Sequence, residues 1–233
     1  ADVQPGTLQA TLRGQIGRQD LLLLAADNLP RDLARHWPRQ PLVVHGGVGG
    51  NLQRLRVRQL ALRLPTALSV RADGFLEHLD RPDRLRARLQ VQARTDRLDF
   101  VAALLPPAVR GTVRIPRGIG FRGQVDVDGP RYASRFTATQ GGGSVGGMVW
   151  VDAGRMAYEA SLSARALPLR AFLPRYPLHA FTGSLTAHGQ GTDPLSSRTR
   201  LQASAAVSRF GYGPYDLAGV RLDATVSQGR VQA

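Results

Sequence analysis

Residues 84–94 read Arg-Leu-Arg-Ala-Arg-Leu-Gln-Val-Gln-Ala-Arg, so every second residue is aliphatic and the others are Arg or Gln. Because successive side chains of a β-strand point to opposite faces, this alternation gives one wet face and one dry face. Similar runs recur along the chain, separated by turn signals such as 128–130 (Asp-Gly-Pro) and 141–143 (Gly-Gly-Gly). Their spacing predicts an all-β fold with about 20 strands.

One of these runs changes phase in its middle. Leu55 and Val57 follow one alternation, whereas Leu60, Leu62 and Leu64 follow the other. One extra residue in a strand produces such a slip, so we expect a β-bulge near Gln59.

Three segments have helical rather than alternating spacing: residues 20–37, 99–109 and 167–173. Asp20 is a candidate N-cap for the first, and the second stops at Pro106-Pro107. A Pro-containing turn and a strand follow each segment, which indicates a loose repeat of a short helix and several strands. We therefore expect residues 1–233 to be one continuous β-repeat segment of a larger protein, with units of about 20–98, 99–166 and 167–233.

The predicted number of strands restricts the architecture. A flat sheet of that many strands would be on the order of 95 Å wide, and open twisted sheets rarely exceed about 10 strands. The chain must therefore form a sandwich, close into a barrel, or curl along its length into a trough. Periodicity does not separate the trough from the sandwich, because both need the same alternation.

The chain is strongly basic, with a net charge of +14; all 31 basic residues are Arg, and there is no Cys. A basic surface favours nucleic acid, anionic lipid or acidic partners. Nucleic-acid binders tend to cluster basic residues, often among aromatics, whereas here Arg alternates with aliphatic residues over nearly every strand. We therefore interpret the Arg residues as a solvated face and expect no nucleic-acid partner; nucleic-acid binding remains the third hypothesis.

Candidate catalytic and metal motifs have simpler interpretations. Residues 142–146 match G-x-S-x-G, but a strand-like run follows Ser144 where a nucleophile elbow needs a helix. The five His residues lack the close spacing of zinc ligands. Asp126 and Asp128 share a strand face and could bind a cation weakly, although a solvated acidic turn explains them better. We expect no enzymatic activity, no cofactor and no metal.

Several stretches resemble the TamB and AsmA-like family of Gram-negative envelope proteins. The first is the run 20–30 with 37–44 and 50–57, and the second is Gly-Phe-Leu-Glu-His-Leu at 74–79 followed by Asp-Arg-Pro. The stretch 212–231 is similar to the recurring unit of the family, a strand of the form L-x-x-V-x-L-x-A-x-V-x-x-G, here residues 217–229.

The resemblance implies an elongated, curled antiparallel or mixed sheet, a β-taco-like trough, with short helical inserts. It implies a periplasmic segment of a protein whose inner-membrane anchor lies outside these residues. Such a segment would carry phospholipid acyl chains between the two membranes. Its protein partners would be an outer-membrane barrel protein and the rest of the longer chain. The alternative is a structural or chaperone module that assists outer-membrane protein assembly. The residues expected to line the groove are Leu8, Leu12, Leu68, Val70, Leu85, Leu89, Val91, Val125, Val127, Phe136, Val149, Val151, Leu162, Leu201, Val207, Val220 and Leu222.

Overall fold

The computed structural model describes residues 8–24, 35–102, 111–191, 197–227 and 230–232. These residues form a β-rich chain with three short α-helices, α1 (Arg18–Leu24), α2 (Asp99–Ala102) and α3 (Leu169–Phe172), and a 3-10 helix at Pro82–Arg84. The fourteen strands are β1 (Leu8–Ile16), β2 (Leu42–Gly50), β3 (Arg54–Leu64), β4 (Leu68–Glu77), β5 (Arg86–Thr95), β6 (Gly120–Asp128), β7 (Arg131–Gln140), β8 (Gly143–Asp152), β9 (Ala157–Pro168), β10 (Ala180–Gln190), β11 (Arg200–Tyr212), β12 (Tyr215–Leu217), β13 (Val220–Ser227) and β14 (Arg230–Gln232).

All of these strands belong to one antiparallel sheet in which each strand pairs with the next along the chain. The only departure is that β12 and β13 both pair with β11. The sheet is open, because β1 at one side and β14 at the other do not pair. The all-β prediction is confirmed, whereas the count of about 20 was too high because the described strands run up to 13 residues. Parallel pairing, a closed barrel and a second packed sheet are all absent from the described ranges.

The two ends of the strands carry different connections. At one end, which we call the insert edge, three long connections leave the sheet, after β1, β5 and β9, and their described parts contain α1, α2 and α3. At the other end, which we call the short-turn edge, the chain mostly reverses within a few residues, as at 51–53, 129–130 and 153–156.

The helix α1 begins at Arg18, so the N-cap prediction for Asp20 was wrong and its carboxylate lies in the first turn. The predicted segment 99–109 is described only as far as residue 102.

The predicted bulge is confirmed. The register between β3 and β4 shifts between Val57 and Leu60, and Gln59 adopts a φ of 48°. The carboxylate of Asp73 on β4 accepts a hydrogen bond from the Gln59 amide at 2.7 Å. The extra residue is thus held by the neighbouring strand, and the aliphatic residues on both sides of it stay on one face.

A small apolar cluster closes the sheet at the insert edge. Leu64 and Ala67, at the β3–β4 turn, are almost fully buried against Phe100 of α2. The rings of Phe100 and Trp37 meet edge to face with centroids 5.3 Å apart, a favourable geometry for aromatic pairs. Leu42, Leu64 and Leu68 belong to the same side of the sheet, so the described part of α2 and Trp37 pack on that side only where it meets the insert edge. No helix in the described ranges is long and apolar enough to cross a membrane.

Glycines allow unusually close contact between strands on one face. A Cβ at Gly74 would collide with the Arg88 carbonyl oxygen, and a Cβ at Gly147 would collide with that of Ser161. Gly147 also has a φ of 158°, outside the range that other residues adopt readily. Glycine kinks of this kind introduce curvature into designed sheets.

Adjacent glycines in β8 give a matched test of this constraint. Gly147→Ala should lower the free energy of unfolding by about 1–3 kcal/mol, because the new methyl group meets backbone in a strained conformation. Gly146→Ala is the control, since its Cβ would lie 3.4 Å from the Phe136 carbonyl oxygen, an ordinary contact. Urea unfolding followed by circular dichroism measures both variants. Equal losses for the two would contradict the role given to Gly147.

Candidate functional site: a continuous aliphatic face

The register of the strands places the aliphatic residues on one side of the sheet. Residues directly opposite each other in an antiparallel pair point to the same face. Leu89 of β5 is opposite Gly74 of β4 and Val125 of β6, and Val125 is opposite Ser134 of β7, which is in turn opposite Val149. Alternation within each strand then fixes the face of every other residue. We call this side of the sheet the aliphatic face and the other side the polar face.

All the predicted lining residues that lie in strands are on the aliphatic face. Leu85 directly precedes β5 in the same alternation, and the other sixteen lie in strands. One row of opposed residues crosses eleven strands from β3 to β14 and contains only aliphatic residues, two Tyr and one Gly: Leu55, Leu76, Ala87, Val127, Tyr132, Val151, Tyr158, Gly189, Leu201, Val226 and Val231. At about 4.8 Å per strand, this row is on the order of 50 Å long.

The aliphatic face is only half-buried. Small or central residues such as Val57 and Ala72 are buried, but most larger side chains keep part of their surface in contact with solvent. Leu12 and Leu185 are each 39% exposed and Leu222 is 59% exposed. The main contacts between strands are those of neighbours in the sheet, so no second sheet of the described residues covers this face; Phe100 and Trp37 cover only its insert-edge end, at Leu64 and Leu68. An apolar surface of this extent is unusual for a monomeric soluble protein and indicates a binding surface.

Polar groups on the aliphatic face are few. The Ser134 hydroxyl donates to the Gln124 carbonyl oxygen at 3.0 Å and is thereby satisfied within the sheet. Phe121 and Phe136 stack with centroids 5.6 Å apart, and Phe136 lies against Gly123 of the neighbouring strand. The face therefore offers hydrophobic contact with almost no specific hydrogen bonding, which suits a flexible apolar ligand.

The polar face has an ordered arrangement of charge at the short-turn edge. A row of opposed residues alternates in sign over six strands: Arg54, Glu77, Arg86, Asp128, Arg131 and Asp152. The Arg86–Asp128 pair is 3.0 Å apart, and in the next row Arg88 and Asp126 are 2.9 Å apart. Opposite charges facing each other across strands stabilise a sheet modestly. Sequence patterning shows alternation within a strand but not which residues oppose each other, so this row could not be predicted.

The residues considered above as metal ligands or as a catalytic motif have structural roles in the sheet. The carboxylates of Asp126 and Asp128 each pair with an Arg, and the described residues contain no group of three or more potential metal ligands. Ser144 lies in β8 opposite Thr139, so a strand rather than a helix follows the G-x-S-x-G motif. A nucleophile elbow therefore does not form around Ser144.

One carboxylate at the short-turn edge is nearly inaccessible to solvent. The Asp152 side chain is 4% exposed, and the Arg155 amide donates to its carboxylate at 3.0 Å. This hydrogen bond, helped by the Arg131 guanidinium at 3.5 Å, lowers the pKa of Asp152 although burial acts in the opposite direction. The charged carboxylate therefore anchors the turn between β8 and β9.

Removing this charge should weaken the sheet at neutral pH. Asp152→Asn keeps an acceptor oxygen for the Arg155 amide but loses the charge, so we expect a lower melting temperature at pH 7. The lowered pKa means that the stabilisation is present above the ordinary Asp pKa of about 3.9 and is lost as the pH falls through the folded-state value. The gap between the two proteins should therefore narrow in acid. Asp83→Asn, at a side chain that is 79% exposed, is the control and should change little. A gap that stays constant with pH would contradict this role.

Comparison of the chain with protein-family models, with curated proteins and with solved structures finds no match.

Proposed function

We propose that this chain is a segment of a bridge-like lipid transport protein, in which the aliphatic face carries phospholipid acyl chains between the inner and outer membranes. The observation that supports this is the uncovered aliphatic face, continuous over eleven strands. Each methylene moved from water to an apolar surface gains about 0.8 kcal/mol, so an acyl chain can be held without specific contacts. The long row of opposed residues gives the acyl chain a series of neighbouring apolar positions along which it can move.

The architecture proposed for this function is a sheet curled into a β-taco-like trough, with the aliphatic face inside. Two features support that direction of curvature. The glycines that permit close backbone contact, Gly74, Gly123 and Gly147, all lie on the aliphatic face, where a concave surface is most crowded. The long Arg side chains lie on the opposite face, where a convex surface gives them room and solvent.

The proposed setting follows from the resemblance described above. The segment would lie in the periplasm, as part of a protein anchored in the inner membrane, and would meet an outer-membrane barrel protein through other parts of the longer chain. The alternative, a structural or chaperone module for outer-membrane protein assembly, is better suited to a closed, fully packed core. The half-buried aliphatic face therefore favours the lipid groove over that alternative.

Charge placed on the aliphatic face should remove bound lipid. We expect the purified chain to retain phospholipid detectable by mass spectrometry of an organic extract, and Leu89→Glu and Val91→Glu to reduce it several-fold. A carboxylate on this face would have to lose its hydration beside an acyl chain, which is costly. Gln90→Glu is the matched control, because it adds the same charge on the polar face of the same strand.

Circular dichroism must first show that the three variants fold alike. Equal lipid content in Leu89→Glu and Gln90→Glu, or absence of lipid from the parent chain, would contradict the groove.

A second test locates the lipid directly. A photo-crosslinking residue placed at Val149 should form adducts with phospholipid, whereas the same residue at Met148 should not. Val149 lies on the aliphatic face and its neighbour Met148 on the polar face. Adducts of similar yield at both positions would indicate contact with lipid outside any groove. Mass spectrometry of the irradiated protein measures the yields.

A further inference from the structure

The charges of the polar face are distributed unevenly between the two edges of the sheet. In β3–β9, every acidic residue of this face lies in the three rows nearest the short-turn edge. The two rows nearest the insert edge contain no acidic residue and five Arg residues: Arg63, Arg71, Arg94, Arg122 and Arg165. None of the five makes an ion pair within the described ranges, in contrast to Arg86 and Arg88 at the other edge.

Two of these Arg residues line a cavity at the insert edge. Arg63 and Arg94 are both opposite Ser69, on its two neighbouring strands, and therefore stand about 10 Å apart at their backbones. Arg117 lines the same cavity, which has a volume of about 460 Å³. Asp96 is the one acidic residue in its lining, so the cavity has a net charge of about +2 at neutral pH.

The backbone around this cavity is tied together by hydrogen bonds. The Asp96 amide donates to the Ala67 carbonyl oxygen at 2.6 Å, which joins the β3–β4 turn to the end of β5. The Gly118 amide donates to the Thr95 carbonyl oxygen at 3.0 Å, which holds the turn that carries Arg117 beside Arg94. The three guanidinium groups thus extend from fixed positions, and a ligand would have little backbone to order on binding.

We propose that Arg63, Arg94 and Arg117 form a binding site for a phosphate group. Three like charges around one cavity repel each other, and a dianion placed among them would remove that repulsion. The planar guanidinium group donates paired hydrogen bonds to phosphate oxygens, and the nearby Ser69 hydroxyl supplies a further donor. The chemistry is the same whether the phosphate is a free ion or part of a lipid headgroup. Arg63, Ser69 and Arg94 lie on the polar face, so phosphate binding here does not require lipid on the aliphatic face.

Titration calorimetry at low ionic strength with inorganic phosphate tests the site. We expect saturable binding to one site, weakened about tenfold in Arg94→Gln and in Arg63→Gln, since each loses a charge-assisted hydrogen bond. Arg221→Gln is the control, because Arg221 is also exposed on the polar face without an ion pair but lies on distant β13. It should change the affinity less than about twofold.

Vesicles of phosphatidylcholine with and without phosphatidic acid separate the two sources of phosphate. The site binds a lipid headgroup if phosphatidic acid vesicles bind the parent chain and Arg221→Gln but not Arg94→Gln. It binds a free ion if only inorganic phosphate gives this pattern. Equal losses in Arg94→Gln and Arg221→Gln, or no Arg94-dependent binding of either probe, would overturn the proposal. Leu89→Glu should keep phosphate binding, so a failure of the groove and a failure of this site give different results.

Discussion

The antiparallel register between neighbouring strands is the constraint on which the rest of this structure depends. Each strand alternates aliphatic and polar residues, but alternation alone gives only strands with two faces. Pairing in register is what brings Leu89 beside Val125 on one side and Arg88 beside Asp126 on the other. A slip of one residue at any pair would exchange the two faces beyond it, exposing aliphatic side chains among charges. The bulge at Gln59 shows how the chain corrects a change of phase: the extra residue is absorbed and both halves of β3 keep their aliphatic residues on one face.

A single layer has a different balance of stabilising interactions from a globular core. Few side chains are fully buried, and the tightest cluster, around Leu64 and Phe100, lies at the insert edge rather than along the middle of the sheet. Most of the stability must therefore come from the hydrogen bonds of the ladder and from side-chain pairs across strands. The charge row at the short-turn edge and the apolar cluster at the insert edge brace the two ends of the strands. Between these two ends, the side chains of the aliphatic face are not needed for packing against another layer of the described chain.

Much of the fold followed from the sequence because period-two alternation is a local property. The strand of residues 84–94, the phase change at Gln59 and the helical spacing at 167–173 each depend on neighbours in sequence, and each appears in the structure. Whether the strands form one sheet or two could not be predicted, because the same alternation serves a packed core and an open face. Contacts that depend on register, such as that of Arg131 with Asp152, could not be predicted either, because the sequence does not show which residues oppose each other. The cavity at Arg63 and Arg94 joins residues about 30 positions apart, and the only signal in the sequence was the surplus of Arg.

The separation of an aliphatic face from a charged face explains why this chain has so many Arg residues. An aliphatic face left half-exposed would promote association between chains, because exposed apolar surface and open sheet edges attract each other. A dense population of Arg on the opposite face gives every chain the same net charge and opposes such association. Acidic residues would reduce that charge, and on the polar face of β3–β9 they are confined to the three rows nearest the short-turn edge. Several of them pair across strands or hold a bulge or turn, as at Asp73, Asp126 and Asp152. The surplus of Arg that suggested nucleic acid in the sequence is therefore better explained as a consequence of maintaining a large uncovered aliphatic face in water.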